Sequence, residues 1–501
     1  MKRLAFGNTS LLFLISALLC LAAADIAVSA LNPWSELLRL MGGILRPDVL
    51  SIEAWSVVWT VAFAVVGVGI GASAGFLLAI AFPHFAAVRA TAIVLRSIHE
   101  LFWALLLIQA FGLAPATGVL AIAIPYAGIF AKVFAEIIEE ADLSAERILP
   151  VGTSAASAFA FARLPEVAER FKTYTLYRLE CGLRSTLVLG FVGLPSVGFH
   201  LEAYFKQGKY AEAAALLAVF YVLIGTRRLW ARPATVPFLL IGSLLLLPEG
   251  IGGGSTIANL TRFVTHDIVP APLRSGDLGS LATWDAFTSW LQPIIRKQVL
   301  PGTWNTFILA QIALVGMGVL ALVLFPLVSR RFMGQIGQPA GRVLLVIVRS
   351  TPEYMLAYVL LQLLGPSMLP AIIALVVHNG AIVGYLMGRH ADALDYRADA
   401  AKGLNLYAYD TAPRLYGQFL AYCLYRWEII VRESAIFGIL GVATLGYHVD
   451  AAISELRFDV AVVLILATVG LCALIDSLSR WLRHELRIST LATRLADAPF
   501  K

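Results

Sequence analysis

Apolar runs of roughly twenty residues, separated by shorter polar or charged stretches, recur along the whole chain. Continuous runs of that length predict helices that cross a membrane. A backbone in lipid must satisfy its own hydrogen bonds, and a barrel strand would instead alternate apolar and polar positions over about ten residues. The first run, Leu11 to Leu31, follows Met1, Lys2 and Arg3 and is interrupted by Asp25. Its length up to Ala24 fits a signal peptide as well as a retained span. The retained span is favoured, because the second half has its own leading run at Val236 to Leu247. Further spans are predicted at Trp55 to Phe82, Thr91 to Phe111, Gly118 to Ala135, from near Arg184, and at Ala211 to Gly225. Beyond an outer loop at about 249–298 come spans near 304–328, 343–364, 369–388, 433–449 and 459–479. That makes about twelve, six in each half.

Two polar segments, 136–172 and 389–420, are too charged to lie in lipid. Of the 38 Lys and Arg, only Arg39, Arg46, Lys206, Lys209, Arg262, Arg274, Arg296, Lys297 and Arg457 fall on outer segments if the amino terminus is inside. The positive-inside rule therefore places both termini and both polar segments in the cytoplasm. Composition agrees with a membrane protein: 59% hydrophobic and 14% charged residues, mean hydropathy +0.81, against about 25% charged in soluble domains. The net charge of +6 is then an orientation signal and implies no nucleic-acid partner. Cys20, Cys181, Cys423 and Cys472 show no paired spacing and read as free thiols in packing positions.

The pattern of spans is written twice. Tyr177, Arg178, Glu180, Arg184, Gly190 and Gly193 recur at the same internal spacing as Tyr425, Arg426, Glu428, Arg432, Gly438 and Gly441, an offset of 248. Arg96, Ser97, Glu100, Gly112 and Asp142 recur as Arg349, Ser350, Glu353, Gly365 and Asp395 at an offset of 253. Gly152 pairs with Gly403 at 251, and Pro165 with Pro413 at 248. Small deletions in one cytoplasmic loop account for the drift. Two repeats are expected, residues 1–230 and 231–501. An even number of spans in each makes them parallel repeats, with a pathway on the pseudo-two-fold axis between them.

These residues carry a resemblance. Ala135-Glu136, then Gly152, then Leu164-Pro165 resembles the loop by which permeases of bacterial ATP-binding-cassette importers engage their ATPases. Leu95 to Ala104, Gly112-Leu113, Gly118 to Ala121 and Ala131 to Glu136 are similar to phosphonate-importer permeases in particular, as is the Tyr-Arg-x-Glu-x-x-x-Arg run with its trailing glycines. The likeness spans about residues 50–225 and 300–485. It implies the all-α fold of a type I importer permease, here in tandem duplicate, in a bacterial inner membrane. It implies two separate ATP-binding subunits in the cytoplasm, which bind ATP and magnesium, and an extracytoplasmic substrate-binding protein. ATPase coupling would fall to Glu136, Gly152, Leu164, Pro165, Gly403 and Pro413. Family members are usually one unit per chain and dimerise, whereas this chain fuses two. Its second copy is also three residues shorter between Gly403 and Pro413, starts on Gly388-Arg389-His390, and has His378-Asn379 where the first has Pro125-Tyr126.

Read as chemistry, a short amphipathic helix ended by glycine and followed by Leu-Pro is suited to dock in a motor and transmit its closure; its other reading is an ordinary connection. Gly67, Gly71 and Gly75, four apart, read as helix packing. Tyr177, Glu180 and Arg184 share a helix face, as do Tyr425, Glu428 and Arg432, so that Glu180 can pair with Arg184. With Arg178 and Arg426 they read as an interfacial charge network. Arg96 with Glu100 and Arg349 with Glu353 read as i,i+4 pairs, either structural or, through arginine, on an oxyanion path. His378 and Asn379, polar in an apolar span, either contact substrate or bond a neighbouring helix. Nothing reads as a catalytic or metal centre: Trp103 replaces the second histidine of a His-Glu-x-x-His pattern, and no phosphate-binding Gly-x-x-x-x-Gly-Lys-Ser/Thr run occurs. The expected function is a permease subunit, not an enzyme, importing a phosphonate or related phosphorus oxyanion; a secondary transporter or channel is the alternative.

Overall fold

The computed structural model describes residues 6–142, 144–249, 256–274, 276–397, 399–486 and 488. Met1, Lys2 and Arg3, residues 250–255 of the outer loop and the segment after 488 lie outside the described residues. Among those described, the elements are helices without a strand, as the unbroken apolar runs require.

Six helices are long and apolar enough to cross a membrane, and three further pairs are spans bent at a break. Two shorter apolar helices, Tyr210–Gly225 and Val236–Leu245, and the segment from Ala412–Glu433 through Ser434–Gly438 to Leu445–Ser454 complete the predicted set. The protein is a multi-pass, all-α membrane protein. The outer loop is largely helical where described: Thr256–Arg262, Ala271–Arg274 and a helix beginning at Leu281. That last helix runs continuously through to Val328, 48 residues or about 72 Å at 1.5 Å per residue, against a hydrocarbon layer of about 30 Å.

The chain forms two compact units, and they do not follow the repeats 1–230 and 231–501. One unit comprises Leu40–Phe263; the other joins the residues up to Arg39 to Val264–Ser489. Each unit thus takes its leading apolar helix from the other half of the sequence. In the carboxy-terminal unit, Phe6–Ala23 packs along Leu300–Val328. Phe13 meets Trp427 edge-on at 5.0 Å, and Ser10 accepts a 2.6 Å hydrogen bond from the Tyr416 hydroxyl. The backbone continues the attachment, Ser29 N to Leu364 O and Met368 N to Asp25 O, both 2.9 Å. In the amino-terminal unit, Val236–Leu245 packs on Ala54–Ala81.

Within each unit a parallel helix pair makes the core. Gly67, Gly71 and Gly75 of Ala54–Ala81 face Ile122, Tyr126 and Phe130 of Pro115–Glu139, where any Cβ would crowd those side chains. In the other unit glycines stand on both sides: Gly316 of Leu300–Val328 faces Val376, and Gly380 and Gly384 of Met368–Asp392 face Leu320 and Leu324. Close approach of backbones substitutes for the hydrophobic effect that lipid does not provide. The glycines that meet Gly190 and Gly438 of the repeated motif have the same use. Gly198 lies against the Leu187 carbonyl and Gly446 against the Ala435 carbonyl, so tightly that neither position admits a side chain. Thr60 and Thr306 seal these crossings by accepting from Val197 N at 2.9 Å and Leu445 N at 3.0 Å.

Candidate functional site

Two features repeat at matched positions in the two units: a polar cluster buried among the helices, and the segment expected to face the cytoplasm.

The cluster is built by the bent spans. Expected as single helices, residues 91–111 and 343–364 are instead broken, Ala86–Ser97 meeting Glu100–Phe111 at 95° and Arg330–Ser350 meeting Glu353–Leu364 at 86°. Local sequence causes both breaks. The His99 imidazole caps the second helix by accepting from Leu101 N at 3.2 Å. Pro352, which holds φ −61° and has no N–H, takes the N-cap position in the second copy without a side-chain bond. Arg96 and Glu100 therefore stand on different helices, as do Arg349 and Glu353, and the i,i+4 reading of these pairs is corrected. The break instead places Glu100 and Glu353 in the first turn of a helix, where the macrodipole favours a carboxylate.

In the amino-terminal unit Ser185 donates to Glu100 at 2.8 Å, and the fully buried Tyr126 hydroxyl lies 3.2 Å from Ser185. His99 Nε2 is 3.5 Å from Glu100. Arg178 donates to the Tyr174 hydroxyl at 2.8 Å, with its guanidinium over the rings of Tyr126, Tyr174 and Tyr177 at 6.0, 5.3 and 5.8 Å. In the carboxy-terminal unit the corresponding Arg426 donates to Asn379 Oδ1 at 3.1 Å, and Asn379 Nδ2 donates to Glu433 at 3.1 Å. His378 Nδ1 donates to the Thr351 carbonyl at 2.8 Å, and its Nε2 is 3.8 Å from Glu353. Arg349 lies over the Tyr385 ring at 4.9 Å.

Offsets of 253 and 248 make Glu100 equivalent to Glu353, Tyr126 to Asn379, Arg178 to Arg426 and Ser185 to Glu433. The arginine of the repeated motif thus turns toward its unit's fourth-span polar residue in both copies. Glu180 pairs with Arg227 at 2.9 Å, a partner outside the motif that its spacing gave no means of finding. Arg184 reaches the Cys181 sulfur at 3.3 Å. Glu180 and Glu428 are both buried, and Tyr425 and Arg432 are partly so. Ser185 and Glu433 were missed from the sequence; reading the residue after each motif arginine across the repeat would have found them.

The polar segments share an unusual device. In the first, Asp142 accepts from Ser144 N and Oγ at 2.9 and 3.0 Å, which holds its carboxyl below the usual carboxylate range. Arg163 grips Glu146 at 2.6 Å, and Gly152 turns the chain with φ +95°. A short helix Ala155–Ala158 then widens into a π-turn, Phe159–Arg163, before the long helix Leu164–Val188, which has Pro165 in its first turn. The second segment repeats this at Gly403, φ +62°, with the π-turn at Tyr407–Thr411 and Pro413 in the first turn of Ala412–Glu433. Tyr407 stacks on Phe325 at 5.2 Å, and Tyr396 bonds Thr411 at 3.1 Å. Both segments expose apolar side chains at the tip: Ile148 85%, Val151 108% and Phe161 81% in the first, Leu404 83% and Tyr409 83% in the second. Gly152, Pro165, Gly403 and Pro413 are exposed, and Glu136 and Leu164 half-buried.

No family model and no solved structure matches the chain. Among curated proteins, the phosphate-import permease protein PhnE of Mycolicibacterium smegmatis is 26% identical over 479 residues, 88% of this chain and 86% of that one. The phosphite transport system permease protein PtxC of Stutzerimonas stutzeri is 29% identical over 232 residues, 44% of this chain but 84% of its own. HtxE, a putative phosphite transport system permease protein of the same organism, is 33% identical over 141 residues, 28% of this chain and 54% of its own. A relative that is nearly spent on less than half of this chain, beside one that runs its whole length, is what a doubled unit produces. With two copies of one helical plan in the structure and two copies of one motif set in the sequence, the chain is similar along its length to phosphate, phosphite and phosphonate transport permeases, as two permease units fused in one polypeptide.

Proposed function

We propose that the chain is the transmembrane subunit of an ATP-driven importer for a phosphonate or related phosphorus oxyanion, with ATP hydrolysed by two separate cytoplasmic subunits and substrate delivered by an extracytoplasmic binding protein. The observation that carries this reading is the duplicated polar segment. Each copy is turned by a left-handed glycine, presents apolar side chains to solvent, and joins a long helix through a π-turn with proline in its first turn. An exposed apolar tip on a charged segment suits a protein partner. A rigid helix leading from it into the buried cluster suits a lever, by which closure of the motor alternates access to the site.

The substrate class rests on the names of the relatives, which are phosphate, phosphite and phosphonate permeases. Arg96, Arg349, His378 and Asn379 remain the proposed substrate contacts; arginine and amide donors suit phosphoryl oxygens. The test is reconstitution of the full chain with its ATP-binding subunits and binding protein. Phosphonate, phosphite or phosphate should stimulate ATP hydrolysis, and uptake should stop when an ATP-binding subunit is inactivated but persist when ion gradients are collapsed. Uptake that follows the gradients instead would make this a secondary transporter.

A further inference from the structure

The polar clusters of the two units differ in one respect that helix packing does not require. In the carboxy-terminal unit one atom each from Glu353, His378 and Glu433 lie within 4.8 Å of one another. The counterparts are Glu100, Pro125 and Ser185, so the amino-terminal unit has one carboxylate, with the His99 imidazole 3.5 Å from it, where this one has two.

The surroundings fix each of the three groups. A carbonyl only accepts, so the 2.8 Å contact with Thr351 puts the proton on His378 Nδ1 and turns Nε2 toward Glu353. Asn379 holds Glu433 at 3.1 Å and is itself held by Arg426, whose charge is thereby bonded to the amide oxygen. An imidazole anchored through its far nitrogen and a carboxylate anchored by an amide are the support that metal ligands ordinarily have. Among the described residues, the hydrogen bond shown for Glu433 is to the Asn379 amide, not to a cation.

We propose that Glu353, His378 and Glu433 bind one divalent transition-metal ion per chain. One nitrogen and two oxygen donors suit zinc first, then manganese or iron. Ligand atoms around a tetrahedral zinc lie about 3.4 Å apart, close to the 3.8 Å between His378 and Glu353; rotation of the carboxylates closes the rest. His378 and Asn379 are also among the proposed substrate contacts, so an ion bound here would stand beside the solute path; the proposal needs no assumption about which solute is transported.

The experiment uses the purified full-length chain, stripped with chelator and titrated with Zn²⁺ and with Co²⁺, reading stoichiometry by calorimetry and metal analysis and coordination by the visible absorption of cobalt. One ion per chain is expected. Glu433→Gln should weaken binding about tenfold or more, while Ser185→Ala, at the equivalent place in the other unit, should leave it unchanged. His378→Cys should shift preference to Cd²⁺ and produce a thiolate-to-cadmium ultraviolet band, a signature that a purely structural histidine would not give. Absence of a saturable site, binding of two ions per chain, or unchanged affinity in a Glu433→Gln protein that elutes like the wild type would each overturn the proposal. Because these readouts involve no transport, their failure leaves the importer reading standing, and failure of the importer reading leaves them intact.

Discussion

At the scale of single residues, the work is divided between the arginines of the repeated motif and the glycines at the helix crossings that follow it. Gly198 and Gly446 occupy crossings where the opposing group is a carbonyl, which cannot move aside as a side-chain end does. Gly198→Ala and Gly446→Ala should each cost about 1–3 kcal/mol or more from overpacking, visible as a lowered melting midpoint in detergent. Alanine at the outward-facing Gly470, where a Cβ would meet nothing within 4 Å, should be neutral. Arg426 is held for its hydrogen bond to Asn379. Arg426→Ala should remove a charge-assisted contact of about 1.5–3 kcal/mol, and Arg426→Lys should restore only part of it, since a lysine cannot reproduce the planar fork. The same melting assay separates these outcomes; equal loss in both would show that the guanidinium geometry, not the charge, is what the cluster uses.

At the scale of elements, the bent spans and the polar segments are where local chemistry overrides apolar periodicity. The exposed Phe161 and Tyr409 stand in corresponding π-turns. Under the proposed coupling, Phe161→Asp and Tyr409→Asp should leave the chain folded and membrane-inserted but reduce substrate-stimulated ATP hydrolysis, measured in the reconstituted complex, at least tenfold for the copy that carries more of the coupling. Unchanged stimulation in both variants and in the double variant would remove the polar segments from the mechanism. The turn at Asp142 gives a pH dependence with a defined sign. Its carboxyl is held below the usual range by Ser144, so the charged form stabilises the turn at neutral pH. That contribution is present above the unfolded pKa and is lost as pH falls through the lower, folded value. Limited proteolysis between Glu139 and Arg163 should therefore accelerate on acidification in the wild type and be pH-independent over that range in Asp142→Asn.

At the scale of the whole molecule, the exchanged leading helices tie the two halves of the sequence together within each unit. Phe6–Ala23 is a structural member of the carboxy-terminal unit through Trp427, Tyr416 and the backbone bonds at Leu364 and Met368. A cleaved signal peptide would strip that unit of a packed helix. Intact-mass measurement of protein purified from membranes should find this helix retained, and removal of residues 1–31 should lower the yield of folded protein; cleavage with no loss of stability would mean that the contacts are incidental. Expression of residues 1–230 alone should likewise fail, because Val236–Leu245 packs on Ala54–Ala81.

The sequence by itself determined the number and approximate place of the spans, the doubling of the plan, the packing use of Gly67, Gly71 and Gly75, and the likeness to phosphorus-oxyanion permeases. Each of these rests on local composition or on a spacing repeated in one dimension, which lipid makes unusually readable because every buried backbone must be helical. The tertiary structure alone decided three things. It moved the leading helices into the opposite units, it broke the third span of each repeat so that Arg96 and Glu100 stand on different helices, and it gathered Glu353, His378 and Glu433 from three segments into one place. Hydropathy records whether a residue tolerates lipid, not which helix it faces there. Partners separated by tens of residues, such as Glu180 and Arg227 or His378 and Glu433, are chosen by helix packing and leave no trace in the spacing.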